Sequence, residues 1–211
     1  MKKKVLSSLL FLGLFFVLII LLNNVDVKAI GPNGSLVGFS TINGMFHNLT
    51  GVSYLWYEIT DSLGILAIFV CVVFGFIGLI QWIKRKKLFS VDREIIALGI
   101  LFLITIGLYV LFTFVSVNYR PVIMPGEGEL EASFPSSHTM LAVVVFGSVS
   151  LIISKYIKNK TLSNIIKVVL NTLIAVALIG RLLSGVHWFT DIIGAIIMSI
   201  ALLEAYEASI Q

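Results

Sequence analysis

The chain has 211 residues, 58% of them hydrophobic and only 12% charged. That composition excludes an ordinary soluble domain and fits a protein that crosses a membrane several times. The formal net charge of +4 does not point to nucleic acid, because the basic residues cluster between apolar runs, where they act as topology signals.

Lys2, Lys3 and Lys4 precede an uncharged apolar run from Val5 to Leu22. As a helix this run spans about 27 Å, close to the hydrocarbon thickness. Residues 1–22 are therefore expected to form a first membrane helix, retained as a signal anchor. A cleaved signal peptide is the competing reading, since Val27-Lys28-Ala29 resembles a small-residue cleavage site. The run is long for a signal sequence, however. Residues 23–62 are mixed and rich in Gly and Asn, and they predict an outer loop or interfacial segment. Phe46, Val52, Tyr54, Leu55, Trp56 and Tyr57 are the aromatic and apolar residues that would settle at the interface. His47 falls in this segment and is read as solvated or interfacial, with no role. Asn48-Leu49-Thr50 fits a glycosylation pattern, which matters only in a secretory-pathway host.

Further spans are expected over residues 63–83, 95–117, 137–153, 168–183 and 192–203. The single cysteine, Cys71, lies within the second span and cannot form an internal disulfide. Twelve of the fifteen Lys and Arg residues fall at the N-terminus, in 84–93 or in 155–167. The positive-inside rule then makes both termini cytoplasmic and turns the segments 23–62, 118–136 and 184–191 outward. The expected fold is all-α, with six transmembrane helices in one bundle and residues 63–205 as its core.

Two of the outward segments carry the chemistry. Between the third and fourth spans stand Arg120-Pro121 and then Pro135-Ser136-Ser137-His138. Arginine suits bidentate recognition of phosphate. Ser136 or Ser137 reads as an N-cap, and the free N–H groups of a helix start make an anion site. Between the fifth and sixth spans lies Arg181-Leu-Leu-Ser-Gly-Val-His187-Trp-Phe-Thr-Asp191. If a helix begins near His187, then His187 and Asp191 stack on one face, where a carboxylate fixes the imidazole tautomer. His138 has no carboxylate at that spacing. Two Arg, two His and a helix start on one membrane face suggest phosphoryl transfer. One His would attack phosphorus while the other protonates the leaving oxygen. Nothing in the chain resembles a metal cage.

These three pieces resemble the tripartite signature of the type 2 phosphatidic acid phosphatase superfamily, membrane lipid phosphatases related to vanadium haloperoxidases. Pro135-Ser136-Ser137-His138 matches with Ser137 where Gly is usual. The third piece matches from Arg181 to Asp191, with Gly180 where Ser is usual. The first matches only in Arg120-Pro121, and Thr113 stands where the family usually has Lys. The resemblance covers roughly residues 60 to 205. It implies that His187 is the nucleophile, that Asp191 orients it and that His138 is the general acid. It further implies that Arg120, Arg181 and the Ser136–Ser137 segment hold the phosphate, with neither metal nor cofactor.

The function expected is hydrolysis of a membrane lipid phosphate at the outer face of the plasma membrane of a bacterium. Undecaprenyl diphosphate, phosphatidylglycerophosphate and phosphatidate are the candidate substrates. The expected partners are that lipid and the bilayer, with no nucleic acid and no obligate protein partner. A catalytically impaired lipid-phosphate binder of the same fold is the alternative, supported by Thr113. A small transporter would need ionisable residues near mid-membrane, whereas Glu204 and Glu207 fall at the cytoplasmic end, where solvated carboxylates are normal. Glu127, Glu129 and Glu131, with Gly126 and Gly128, form either a solvated acidic loop or a mobile lid over the site.

Overall fold

The structure is a computed structural model that describes residues 1–124 and 128–211, with Leu88 described by its backbone alone. Among the described residues seven α-helices follow one another: α1 (Lys2–Asn24), α2 (Ser40–Thr50), α3 (Tyr54–Arg85), α4 (Arg93–Phe114), α5 (Ser137–Tyr156), α6 (Lys160–Leu183) and α7 (Phe189–Ile210). All but α2 are long and apolar enough to cross a membrane, so the chain is a multi-pass membrane protein of six candidate spans. Glu127 and Gly126 of the acidic loop lie outside the described residues.

Three helices are longer than the hydropathy pattern indicates. α3 begins at Tyr54, so Tyr54 to Tyr57 belong to a membrane helix and not to the outer segment. α6 begins at Lys160, where Asn159 caps it by accepting from the Leu162 N–H at 3.0 Å. α7 runs on to Ile210. Polar residues hid all three extensions, because a helix rising out of the hydrocarbon can carry polar side chains that a search for apolar runs excludes.

α5 is the central helix. Eleven of its residues are buried, and it packs against α3, α4, α6 and α7. Between membrane helices the drive is close packing more than water exclusion, so small residues mark the tightest contacts. At Gly147 of α5 an added Cβ would lie 2.9 Å from Leu203 Cδ1 of α7.

α1 lies along α7. Lys4 Nζ reaches Glu204 Oε1 at 2.9 Å and Glu207 Oε2 at 3.1 Å, and Ser8 Oγ donates to the Ala201 carbonyl at 2.8 Å. Glu204 and Glu207 are therefore ion-paired across the bundle and are not simply solvated ends. Further along α1, Phe15 is fully buried and stacks on Phe134 with ring centroids 5.6 Å apart.

The helix ends farther from α2 carry the basic clusters. There Arg85 pairs with Asp92 at 2.8 Å, and Lys155 of α5 pairs with Glu94 of α4. At the opposite end, α2 docks onto the start of α7. Asn43 is fully buried; its side chain donates to Thr190 Oγ1 at 2.9 Å and accepts from the Thr190 N–H at 3.1 Å.

Candidate active site

The end of the bundle that bears α2 gathers the start of α3, the end of α4, the start of α5, the end of α6 and the start of α7. Every residue expected at the site is found there. The chain between α4 and α5 forms a short antiparallel ladder: the Arg120 N–H donates to the Glu131 carbonyl at 2.9 Å and the Ser133 N–H to the Asn118 carbonyl at 2.9 Å. This ladder carries Arg120 into the site, where Arg120 Nε lies 2.7 Å from Glu131 Oε2. Nη1 of Arg120 is buried without a hydrogen-bond partner. Glu131 is thus an ion-pair partner of a site arginine and not merely a solvated loop residue.

Ser136 occupies the N-cap position of α5, but its hydroxyl makes no capping bond and is buried without a partner. Its N–H donates to the Asp191 carbonyl at 3.1 Å, which fastens the start of α5 to the start of α7. Ser137 Oγ lies 3.5 Å from His138 Nδ1. The first-turn N–H groups that follow have no partner within the helix and form an anion site of the expected kind.

Arg181 is almost fully buried at 1% exposure. A guanidinium within a span is costly unless it is partnered. Here Nη1 donates to Thr60 Oγ1 at 2.9 Å and lies 3.4 Å from Asp61 Oδ1, Nη2 lies 2.7 Å from His138 Nδ1, and the Tyr57 ring stands 5.1 Å from the guanidinium carbon.

His187 sits two residues before α7, outside the helix, so it does not stack on Asp191 in the way a shared helix face would require. The turn itself brings them together: Trp188 is the N-cap, its N–H donates to Asp191 Oδ2 at 3.0 Å, and His187 Nδ1 stands 3.6 Å from the same oxygen. Gly185 makes this turn possible. Its φ of +68° is left-handed, and a Cβ there would lie 1.9 Å from the Gly51 carbonyl oxygen. Burial, then the nearby Arg181 and Arg120, hold the His187 imidazole well below its ordinary value of 6.5.

Two site residues escaped the sequence reading. Asp61 Oδ1 is 3.1 Å from His138 Nε2, so His138 does have a carboxylate partner, contributed by another helix. The clue was an acid, three residues after Glu58, at the edge of an apolar run. Asn118 donates to Asp191 Oδ1 at 3.1 Å; its position two residues before Arg120 was the only signal. Thr113 lines the cavity wall on α4, with its hydroxyl turned back onto the Tyr109 carbonyl at 3.0 Å.

His138, His187 and Arg120 face a cavity of about 1150 Å³ whose remaining wall is largely apolar, with Ile68 and Cys71 from α3, Phe102 and Phe112 from α4 and Leu141 from α5. Among the described residues no three His, Cys, Asp or Glu side chains converge as metal ligands do.

Fold and site together define a polytopic helical membrane protein with a cationic, imidazole-bearing centre at one end of its bundle. Residues 113–207 match the PAP2 superfamily, the family whose motif pieces the sequence carries. The whole chain also matches the crystal structure of "the first transmembrane PAP2 type phosphatidylglycerolphosphate phosphatase from Bacillus subtilis". The TM-score is 0.63 at 19% identity, over 96% of this chain and 94% of that one, which is a likeness of fold. Among curated proteins none matches the chain in sequence.

Proposed function

We propose that this chain is an integral-membrane phosphatase that hydrolyses a phosphomonoester or diphosphate of a membrane lipid through a phosphohistidine. One observation carries the reading: His138, His187 and Arg120 line a cavity whose remaining wall is largely apolar, and Arg181 backs His138 at 2.7 Å. A phosphate fits the polar end and an acyl or prenyl chain fits the apolar one.

In this reading His187 Nε2 attacks phosphorus. The bond from phosphorus to the leaving oxygen breaks, its electron pair goes to that oxygen, and His138 supplies the proton. Water then attacks the phosphohistidine with His138 as base, and free phosphate leaves as the P–N bond breaks. Asp191 holds His187 in position, and Arg120, Arg181 and the start of α5 take the non-bridging oxygens. The reaction needs no metal. α1 is retained as a membrane helix, both termini are cytoplasmic, and the site faces outward from a plasma membrane, with the lipid sliding in between α3 and α4.

The test is phosphate release from a panel containing undecaprenyl diphosphate, phosphatidylglycerophosphate and phosphatidate, with EDTA present. Release from at least one, inhibited by vanadate as a mimic of the five-coordinate transition state, is the expected result. A strict requirement for Mg²⁺ contradicts the mechanism. Thr113 favours a second reading, an impaired lipid-phosphate binder, because its hydroxyl is spent on its own helix and adds no positive charge to the cradle. Binding of these lipids without turnover is the outcome that selects it.

A further inference from the structure

A second pair of histidine and carboxylate lies in this site, and none of the three motif pieces contains its acid. Asp61 Oδ1 is 3.1 Å from His138 Nε2 and 3.4 Å from Arg181 Nη1. Asp61 stands on α3, outside the residues 113–207 that match the family. Three features of the packing put it in place. Thr60, the preceding residue, accepts from Arg181 Nη1 at 2.9 Å. Gly180 lets α6 close on α3, since a Cβ there would lie 2.7 Å from Thr60 Cγ2. Gly64, one turn beyond Asp61, leaves room for the imidazole, since a Cβ there would lie 2.9 Å from His138 Cδ2.

The same contacts assign the ring's proton. Arg181 Nη2 lies 2.7 Å from His138 Nδ1. A guanidinium only donates, so Nδ1 accepts. The ring proton of the neutral imidazole is then on Nε2, aimed at Asp61. Nδ1, on the side of Arg181 and Ser137, is left for chemistry. We propose that Asp61 is the positioning residue of His138: it holds Nε2–H, leaves Nδ1 to exchange protons with the substrate, and supplies the negative charge an imidazolium needs beside two arginines. This rests on the phosphatase reading above.

The proton balance closes. Once phosphate draws Arg181 Nη2 away, Nδ1 takes up a solvated proton. That proton passes from Nδ1 to the leaving oxygen as its bond to phosphorus breaks. The ring returns to the neutral form with Nε2–H on Asp61, which is the base form the second step requires. The second step protonates Nδ1 again, and the ring returns that proton to solvent. The charged and titratable groups facing His138 are Arg181 from α6, Asp61 from α3, His187 from the turn before α7 and Arg120 from the ladder after α4. Asp61 supplies the negative charge in that set.

The experiment compares single-turnover release of the leaving group from phosphatidate and from p-nitrophenyl phosphate, in the wild type and in Asp61→Asn and Asp61→Ala. The ratio of the two rates cancels the fraction of active enzyme. An alkoxide needs a proton and a nitrophenolate scarcely does. Both variants should therefore lose on the order of 100-fold with phosphatidate while staying within about threefold of wild type with the aryl ester, the range general acid catalysis spans. The alkaline limb of the phosphatidate profile should move to lower pH, and Asp61→Glu should recover part of the loss. KM changes common to both substrates report the contact with Arg181. Equal losses on both substrates, no loss on either, or a melt showing both neutral variants unfolded would overturn the role. Where another lipid of the panel above is the one turned over, it takes the place of phosphatidate; if the wild type releases phosphate from no lipid of that panel and none from the aryl ester, the phosphatase reading itself fails and takes this inference with it.

Discussion

Asn118 donates its side-chain amide to Asp191 at 3.1 Å, across 73 residues of chain. Asp191 is fully buried, and its other oxygen takes the Trp188 N–H and faces His187. The carboxylate proposed to orient His187 is thus fixed from two sides, once by its own helix start and once by the ladder that carries Arg120.

Asn118→Ala should therefore lower kcat by about 10-fold to 100-fold, as losing an outer hydrogen-bond partner of a reacting group does, while KM changes little. Steady-state kinetics on the best lipid substrate check it. A change confined to KM would mean that Asn118 serves phosphate binding through its neighbour Arg120.

The two histidines should separate by substrate. His187→Ala removes the proposed nucleophile and should form no phosphoenzyme from any substrate. His138→Ala should still be phosphorylated by an aryl phosphate and hardly at all by a lipid alcohol phosphate. Asp191→Asn should fall between. Rapid-quench trapping of an acid-labile phosphoenzyme reads all three. Phosphate trapped on His187→Ala, with none ever on His138→Ala, reverses the roles.

His187 also sets an expectation for pH. Its imidazole is held well below 6.5 by burial and two arginines. The neutral ring, the form that attacks in the proposed mechanism, therefore persists through and below pH 6.5. Phosphorylation by an aryl phosphate should show no acid limb near that pH. For stability the sign is the same: the unfolded chain takes up a proton near 6.5 that the folded site refuses. The His187 contribution is complete above 6.5 and is lost as pH falls toward the folded value. Burst rates and melting temperatures between about pH 5 and pH 8 check both, and a burst that halves near 6.5 contradicts the burial seen here.

Topology is tested by labelling single cysteines in intact cells with Cys71→Ala as background. Leu49, 75% exposed on α2, and Glu129 beside the ladder lie at the site's end of the bundle, the end proposed to face outward. Lys87 lies at the opposite end, proposed to face inward. Leu49→Cys and Glu129→Cys should react with an impermeant reagent from outside, and Lys87→Cys only after permeabilisation. The opposite pattern would put the site on the cytoplasmic face.

The spans and the cluster of His138, Arg120, Arg181 and His187 were legible in the sequence because each follows from a local pattern. Apolar runs of bilayer length have one cheap solution, and polar residues at the same end of several runs must converge. What was hidden depends on contacts between distant segments. Asp61 becomes a partner of His138 only because Gly64 and Gly180 draw three helices together. Asn118 becomes a partner of Asp191 because the ladder turns its side chain toward α7. The spacing between His187 and Asp191 was read as a helix face; the residues do meet, but through the turn before α7, which Gly185 shapes.

The pairing of α1 with α7 has a consequence for how the protein is made. A ribosome delivers the first helix long before the last, so α1 crosses the translocon and waits in the lipid without its main partner. The docking of Lys4 on Glu204 and Glu207, and of Ser8 on the Ala201 carbonyl, can form only when synthesis is nearly done. Because Phe15 lies against Phe134, the same late event packs the floor beneath the start of α5. A nascent chain stalled before α7 holds both arginines and His138 yet has neither the floor of the site nor the pairing of His187 with Asp191 in place.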